Sequence, residues 1–395
     1  MKKINSYIFI FIFGFFINLS FQNDSEAIVC VTNADGAIQL TANGVAGTQV
    51  KNSNNELAPF QYPNDIVDDE FNSNFADHCN AEPLFYKMKV YKVALCTQDP
   101  YVANGQGNPG FDSCVNLLNV PDGKIVEIVK GVDGNDLLGG SELVIPTGEY
   151  PYFVIILSNH LHVKHKQDYV NNDGTTGAKM WGNGDSSDAQ RKTCYTTAVV
   201  TTISGNWAGD ATFQNAHLDL DGNAVTVVDS GQDGNARLKC VNDNSETDYD
   251  YATEIIDHFG DFLETDDHTA TVDNWINYAS KEDDYQGVTT DISLAGTFMA
   301  ANMLQNDNAS LATSFVNAQR IAMYLNYTTN PPKITENTSG IKLNIGTTMG
   351  ISLDSSQVVV DSVVRTWMSK VGVDPFTVVV QVQNRDPRGV RGRWR

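Results

Sequence analysis

Positive charge is scarce in this sequence of 395 residues, which has 26 Lys and Arg against 48 Asp and Glu. The formal net charge of −22 means that the chain repels nucleic acid and anionic membrane surfaces at long range. Composition therefore predicts no nucleic-acid partner. It favours cations, metals or neutral molecules as ligands.

The signatures of common catalytic sites are also missing. The sequence has no Gly-x-Ser-x-Gly elbow, no Walker-type phosphate loop and no His-Glu-x-x-His motif. It has no Cys-x-x-Cys pair either, which disfavours a metal–thiolate site. These absences favour a protein without catalytic activity.

Long apolar runs are confined to the N-terminus. Lys2 and Lys3 precede an apolar stretch from Tyr7 to Phe21, which is shorter than the ~20 residues that a membrane-spanning helix needs. Ser25 and Ala27 then offer small residues for cleavage. We interpret residues 1–27 as a signal peptide of a bacterial type. This predicts a periplasmic, cell-surface or extracellular protein with no transmembrane segment once the signal is removed.

The six cysteines are even in number and all follow the predicted cleavage point. In an exported protein this favours three disulfides. Sequence alone leaves ~15 pairings open. Consecutive pairing across loop-rich segments favours Cys96 with Cys114, Cys30 with Cys79, and Cys194 with Cys240.

Apolar and polar residues alternate over much of the chain, which predicts β-strands. The alternation runs without a miss from Ile341 to Leu353 and recurs from Ile321 to Tyr327 and from Phe376 to Val382. The last quarter of the chain is therefore predicted to be an antiparallel β domain.

A lysine pattern within one predicted strand indicates a β-bulge. Between Leu84 and Leu95, Lys87 and Lys89 have one parity and Lys92 has the other. A single regular strand would place these charges on both of its faces. We therefore predict that the strand changes face between Val90 and Tyr91.

One segment has the spacing of a helix instead. Ala252, Ile255, Ile256 and Phe259 recur at intervals of three and four residues, and Phe262 and Leu263 continue the pattern. This predicts an amphipathic helix near residues 251–265.

The fold class follows from these patterns. We predict a mainly β protein with two or more antiparallel β-sandwich-like domains and the one amphipathic helix near 251–265. Composition changes at polar loops suggest a signal peptide (1–27), an Asn- and Asp-rich N-terminal segment (28–82), a β-sandwich-like domain (83–170), a mixed region of loops, strands and helix (171–290), a C-terminal β domain (291–384) and a basic tail (385–395).

Three histidines at the end of a predicted strand are the first candidate site. Residues two apart project from the same face of a strand, so His160 and His162 could bind one Zn²⁺ or Cu²⁺, and His165 could join them if the strand ends or bends. The alternative is that they lie on the solvent face of an edge strand.

A glycine-rich loop is the second candidate. The segment from Gly131 to Gly140 overlaps part of a calcium-binding nonapeptide repeat, with Asp133, Asn135 and Asp136 as oxygen ligands. Only one copy is present, and a turn explains these residues as well. Calcium is the one cofactor that the sequence suggests.

Three tryptophans are candidates for sugar binding. Trp181, Trp207 and Trp275 have polar, Gly- or Asn-rich neighbours, and an exposed indole ring can stack on a sugar. Burial in a core is the alternative interpretation.

The function predicted from these features is that of a secreted or surface-exposed bacterial protein with a structural or adhesive role. The first alternative is an extracellular module that binds carbohydrate or another small ligand, and the second is a metal-dependent hydrolase built on His160, His162 and His165. The arginine-rich tail on an acidic body suggests self-association, with other cell-surface components as alternative partners.

Overall fold

The computed structural model describes residues 29–30, 32–40, 48–51, 57–60, 75–103, 106–132, 137–138, 144–170, 180–181, 192–228, 238–242, 247, 249–259, 269–270, 274–277, 298–328, 330–347, 350–360, 363–373 and 376–385. The protein is mainly β, as predicted. Most of its strands belong to two large sheets.

The largest sheet has nine strands and positions the candidate site. The strands are β6 (Phe85–Cys96), β7 (Cys114–Val129), β9 (Tyr152–Ser158), β10 (His160–Lys164), β14 (Val200–Thr202), β16 (Ala252–Ile255), β17 (Trp275–Asn277), β18 (Phe298–Leu304) and β19 (Arg320–Asn326). Their order in the sheet is β14-β16-β10-β6-β9-β19-β18-β17, with β7 paired along the other edge of β6.

The other sheets pack around this one. A seven-stranded sheet contains β1 (Val29–Cys30), β3 (Thr48–Lys51), β4 (Leu57–Phe60), β5 (Phe75–Ala81), β12 (Met180–Trp181), β22 (Ile351–Val360) and β23 (Val363–Val373). A four-stranded sheet contains β2 (Ile38–Gln39), β11 (Lys166–Val170), β13 (Thr193–Thr196) and β15 (Leu238–Val241). Two pairs complete the set: β8 (Gly148–Glu149) with β20 (Lys333–Ile334), and β21 (Thr338–Gly346) with β24 (Thr377–Asn384).

Helices are short in the part of the chain that the structure describes. The α-helix α1 covers Ala211–Ala216, and the Asp210 side chain caps it by accepting hydrogen bonds from the backbone N–H groups of Thr212 and Phe213. Single 3₁₀ turns cover Phe111–Ser113 and Phe315–Asn317. Among the described residues, no helix has the length and apolar character to cross a membrane.

The helix predicted near residues 251–265 is wrong over its first turn. Ala252–Ile255 form strand β16, which pairs with β10 on one side and β14 on the other. All four of its residues are buried. Because both faces of the strand are covered, apolar residues occur at both parities, and the strand loses the alternation that would identify it. Residues 260–265 lie outside the described residues.

The predicted β-bulge in β6 is confirmed. The pairing of β6 with both β7 and β9 shifts register between Val90 and Lys92. Gly123 of β7 lies against the bulge with φ +76°, and a Cβ atom there would come within 2.8 Å of the Lys89 and Tyr91 side chains. The bulge therefore depends on a glycine for both its backbone angle and its space.

Apolar residues cover both faces of the nine-stranded sheet. One face packs into the main core, which also receives residues from the other sheets, such as Leu353 and Val378. The opposite face carries a smaller core that includes Tyr91, Val154 and Tyr324. This two-sided burial explains why β9 is a nearly continuous apolar run.

Two disulfides join residues that face each other across antiparallel strands. Cys96–Cys114 links β6 to β7, and Cys194–Cys240 links β13 to β15. Both are pairs that the sequence predicts, and they indicate an oxidising environment outside the cytoplasm. Cys30 is also disulfide-bonded. The Cys79 side chain lies outside the described residues, so the pairing of these two cysteines stays a prediction.

The large sheets combine strands from distant parts of the sequence. The nine-stranded sheet contains strands from three of the predicted segments (83–170, 171–290 and 291–384), and the seven-stranded sheet joins β1, β3, β4 and β5 with β12, β22 and β23. The segment boundaries themselves stay a prediction.

Candidate functional site

The site forms where one strand changes partners. Strands β9 and β10 follow each other along the same edge of β6, separated by Asn159 alone. On its other edge, β9 pairs with β19, whereas β10 pairs with β16. The sheet therefore splits at Asn159 between the start of β19 and the end of β16.

Asn159 holds the two sides of this split together. Its side-chain Nδ2 donates to the backbone oxygens of Ile256, at 2.9 Å, and Ala318, at 2.7 Å. Its backbone N–H donates to Gln319 O, and its backbone oxygen accepts from Ile256 N–H. Asn159 is 1% exposed, so these bonds satisfy backbone groups that have no access to water.

A loop anchored by a buried carboxylate covers one side of the split. Asp257 is fully buried and accepts hydrogen bonds from Ser204 Oγ (2.5 Å), Ser204 N (3.3 Å) and Trp207 Nε1 (2.8 Å). His258 Nδ1 lies 3.1 Å from Asp257 Oδ1, the oxygen that also accepts from Ser204 N. The Trp207 ring stacks on Phe213 of α1, which fixes the helix over the sheet.

The helix ends at His217, which stacks on His160. The two rings are 5.5 Å apart, and His160 Nε2 lies 3.3 Å from His217 Nδ1. His217 Nε2 lies 3.2 Å from the backbone oxygen of Phe315, which can only accept. In its neutral form His217 therefore carries its proton on Nε2 and accepts from His160 Nε2–H. His160 Nδ1 is then left as an acceptor, and it is buried without a hydrogen-bond partner.

Burial keeps these histidines neutral. Loss of solvation is the main cause that lowers the pKa of His217 to about 4 and that of His162 to about 4. It also holds the pKa of His160 well below its ordinary value, and the charge of Arg320 acts in the same direction. The imidazoles of His160, His162 and His217 are therefore uncharged at neutral pH.

Next to His160 a cleft of about 190 Å³ opens to solvent. Two cations line it, Lys89 from β6 and Arg320 from β19, and both lie close to the Tyr91 ring. The Arg320 guanidinium is 3.9 Å from the ring centre, whereas the Lys89 amine is 5.9 Å away. Ser158, Asn159 and His160 also contribute to the wall.

Neither cation forms an ion pair with a residue that the structure describes. Arg320 Nη1 donates to the backbone oxygen of Gln319, and its Nε is buried without a hydrogen-bond partner. Asp219 is the one carboxylate in the cleft wall. Its oxygens accept from Asp221 N and Asn223 N, at 2.9 and 2.8 Å, and from the Asn223 side chain within the same turn. The cleft therefore presents more positive than negative charge.

The predicted three-histidine metal site is wrong in its geometry. His160 and His162 share one face of β10, but their nitrogens face His217 and Thr253. His165 follows the strand, where its backbone N–H donates to Thr196 Oγ1, and burial and the charge of Lys130 lower the pKa of its imidazole. In the described part of the chain, no three His, Cys, Asp or Glu side chains come together as a metal site requires. The alternative, an exposed edge strand, is also wrong, because β10 is an inner strand.

The other candidate residues have different outcomes. Trp207 is 5% exposed and part of the core, so its predicted role as a sugar platform is wrong. Trp275 is half-buried on β17, and its role stays a prediction. The Trp181 side chain, the predicted calcium ligands Asp133, Asn135 and Asp136, and the tail beyond Arg385 lie outside the described residues.

Sequence reasoning missed Lys89, Tyr91 and Arg320 as site residues. The signal was present in part, since the bulge prediction places Lys89 and Tyr91 at a change of strand face. Arg320 immediately precedes the apolar alternation of β19, and a cation at the start of a buried strand is a signal for a charged site. No protein-family model, curated protein or solved structure matches this chain.

Proposed function

We propose that this chain is an exported, non-catalytic β protein that binds a small acidic sugar in the cleft beside Arg320. The observation that carries the proposal is the pair of cations, Lys89 and Arg320, that face one cleft without a carboxylate partner. The Arg320 guanidinium offers hydrogen-bond donors in a planar fork that matches a carboxylate.

The size and the remaining walls of the cleft support a monosaccharide. Its volume of about 190 Å³ is below the ~300–1,000 Å³ of pockets that take drug-sized ligands. Asn306 and Gln319 give it accessible polar surface and Leu218 gives it accessible apolar surface, whereas the Tyr91 and His160 rings in its wall are buried. This combination of a charged anchor, polar groups and apolar surface suits a ring with hydroxyls and one carboxylate.

The disulfides support the setting of the proposal. They indicate an oxidising compartment outside the cytoplasm. The signal peptide is part of the same proposal. A structural or adhesive role at the cell surface is compatible with sugar binding and stays a prediction.

Replacing Arg320 tests the proposal directly. Titration calorimetry with D-galacturonate should show binding to the wild-type protein, and the neutral sugar D-galactose should bind at least about tenfold more weakly, because a charge-assisted hydrogen bond contributes ~1.5–3 kcal/mol. The Arg320→Gln variant should lose a similar factor for galacturonate. Arg320→Lys, which keeps the charge but loses the fork, should be intermediate.

The matched control is Lys333→Gln. Lys333 is 63% exposed and pairs with Glu149 away from the cleft, so this variant makes the same change in net charge. Its affinity for galacturonate should equal that of the wild type. Absence of galacturonate binding to the wild type, or an equal loss in both variants, would reject the proposal.

A further inference from the structure

The positive face of the sheet continues beyond the cleft. In the antiparallel pairing of β10 with β6, His162 lies directly opposite Lys87, and Lys164 lies directly opposite Phe85. Because side chains two apart share a face, His160, His162 and Lys164 follow each other on the face where Lys87 and Lys89 also lie. Lys164 is four residues from His160, or about 13 Å along the strand.

Tyrosine rings alternate with these lysines. The Lys87 amine lies 3.8 Å from the centre of the Tyr251 ring, and the Lys164 amine lies 4.6 Å from that of Tyr249. Lys87, Lys164, Tyr249 and Tyr251 are all half-buried, so each retains some exposed surface. We call these four residues the tyrosine–lysine strip.

The charges near the strip leave one lysine for a ligand. Glu127 pairs with Lys87 at 3.3 Å and accepts from the Tyr251 hydroxyl at 2.7 Å. The Tyr251 hydrogen bond is the main cause that lowers the pKa of Glu127, and the charges of Lys87 and Lys164 add to it, but Lys164 forms no direct ion pair with it. Lys164 contacts the rings of Tyr249, Tyr251 and Phe85, and no carboxylate of the described residues lies within ion-pair distance of it.

We propose that the ligand of the cleft is one residue of a linear acidic polysaccharide, whose neighbouring residues lie along the tyrosine–lysine strip. This inference rests on the proposed function. One uronic-acid carboxylate binds Arg320 and Lys89, a second carboxylate further along the chain binds Lys164, and a sugar ring between them lies against Tyr251. Local charge favours this occupant although the whole chain carries a net charge of −22, because salt screens charges more than ~8 Å away. Arg320 and Lys89 in the cleft and Lys164 in the strip have no carboxylate partner among the described residues, and the Tyr251 ring lies between them.

The test compares one sugar with a short chain of the same sugar. The galacturonate tetramer should bind the wild-type protein at least about tenfold more tightly than the monomer, because a second charge-assisted contact contributes ~1.5–3 kcal/mol. Lys164→Gln should reduce tetramer affinity to near that of the monomer and leave monomer affinity unchanged. Arg320→Gln should weaken both ligands.

Two controls separate charge from shape and from folding. The methyl-esterified tetramer has the same length without the charges, so its gain over the esterified monomer should be limited to stacking on Tyr251 and smaller than the gain of the charged tetramer. Lys333→Gln, with the same charge change as Lys164→Gln, should bind the tetramer like the wild type. Tyr251→Phe keeps the ring and should preserve most of the tetramer affinity, whereas Tyr251→Ala should lower it.

The outcomes distinguish this inference from the proposed function. If the monomer binds and the tetramer binds no more tightly, the cleft is a site for a single sugar and the extension along the strip is wrong. If the tetramer binds more tightly but Lys164→Gln has no effect, the chain leaves the cleft in another direction, which also overturns the inference. If neither ligand binds, both proposals fail.

Discussion

Lowering the pH from 7 to 5 is expected to destabilise the protein by about 6 kcal/mol through three buried histidines alone. Burial is the main cause that lowers the pKa of His162 and His217 to about 4 and that of His165 to about 3. In the unfolded chain each returns to 6.5 and takes up a proton first. Each group then costs about 2 kcal/mol at pH 5.

The sign and the pH window follow from these values. The folded pKa lies below the unfolded one, so the stabilising contribution is complete above pH 6.5 and falls as the pH decreases. The loss ends near pH 4 for His162 and His217 and near pH 3 for His165. Because domains are stable by only ~5–15 kcal/mol, the loss is a large fraction of the total. Urea unfolding at pH 7, 6 and 5, with the disulfides intact, measures it.

His165→Leu isolates one of the three contributions. Neither ring nitrogen of His165 has a hydrogen-bond partner, so leucine removes a titrating group without breaking a bond. The variant should be at least as stable as the wild type at pH 7, and the slope of its unfolding free energy against pH should correspond to about one proton fewer. An unchanged slope between pH 6 and 5 would contradict the assignment of His165 to the titration.

Replacing Asp257 by Ala is expected to have the second largest effect, a loss of about 4 kcal/mol at pH 7. The substitution removes the hydrogen bonds of Trp207 Nε1 and Ser204 Oγ to the buried carboxylate, and a hydrogen bond to a charged group contributes ~1.5–3 kcal/mol. Galacturonate affinity should fall as well. The reason is that the loop held by Asp257 carries α1 and His217 to the wall of the cleft.

The matched control for this prediction is Asp210→Ala. Asp210 also accepts two hydrogen bonds, from the first turn of α1, but it is a helix cap, whose removal costs ~1 kcal/mol. Urea unfolding of both variants at pH 7 compares the two carboxylates. If Asp257→Ala were no more destabilising than Asp210→Ala, the buried carboxylate would not be the anchor of the loop.

Local patterns predicted the elements that have one face in a core and the other partly in solvent. The alternation that starts at Ile341 became β21, and the parity of Lys87, Lys89 and Lys92 located a bulge to within one residue. These predictions succeed because solvent on one side of a strand leaves a period of two in the sequence. The same logic failed at β16, where both faces are buried and the apolar spacing resembles that of a helix.

The candidate site could be predicted only in part. The sequence indicates His160 and His162 as candidate metal ligands. Their hydrogen-bond partners, His217 and Thr253, are 57 and 91 residues away in the chain. Such long-range pairs leave no spacing that can be recognised. Arg320 meets Lys89 through the sheet order β6-β9-β19, which is a property of the assembled fold and of no single segment.

The split in the sheet at Asn159 also limits what the cleft can recognise. A gap between two strands normally exposes backbone carbonyls, and an extended peptide could bind there by adding a strand of its own. Here the Asn159 amide occupies the carbonyls of Ile256 and Ala318. One side chain thus replaces the peptide groups of an inserted strand. These two carbonyls are therefore not free for an inserted strand, which leaves more of the recognition to the side chains of Arg320 and Lys89.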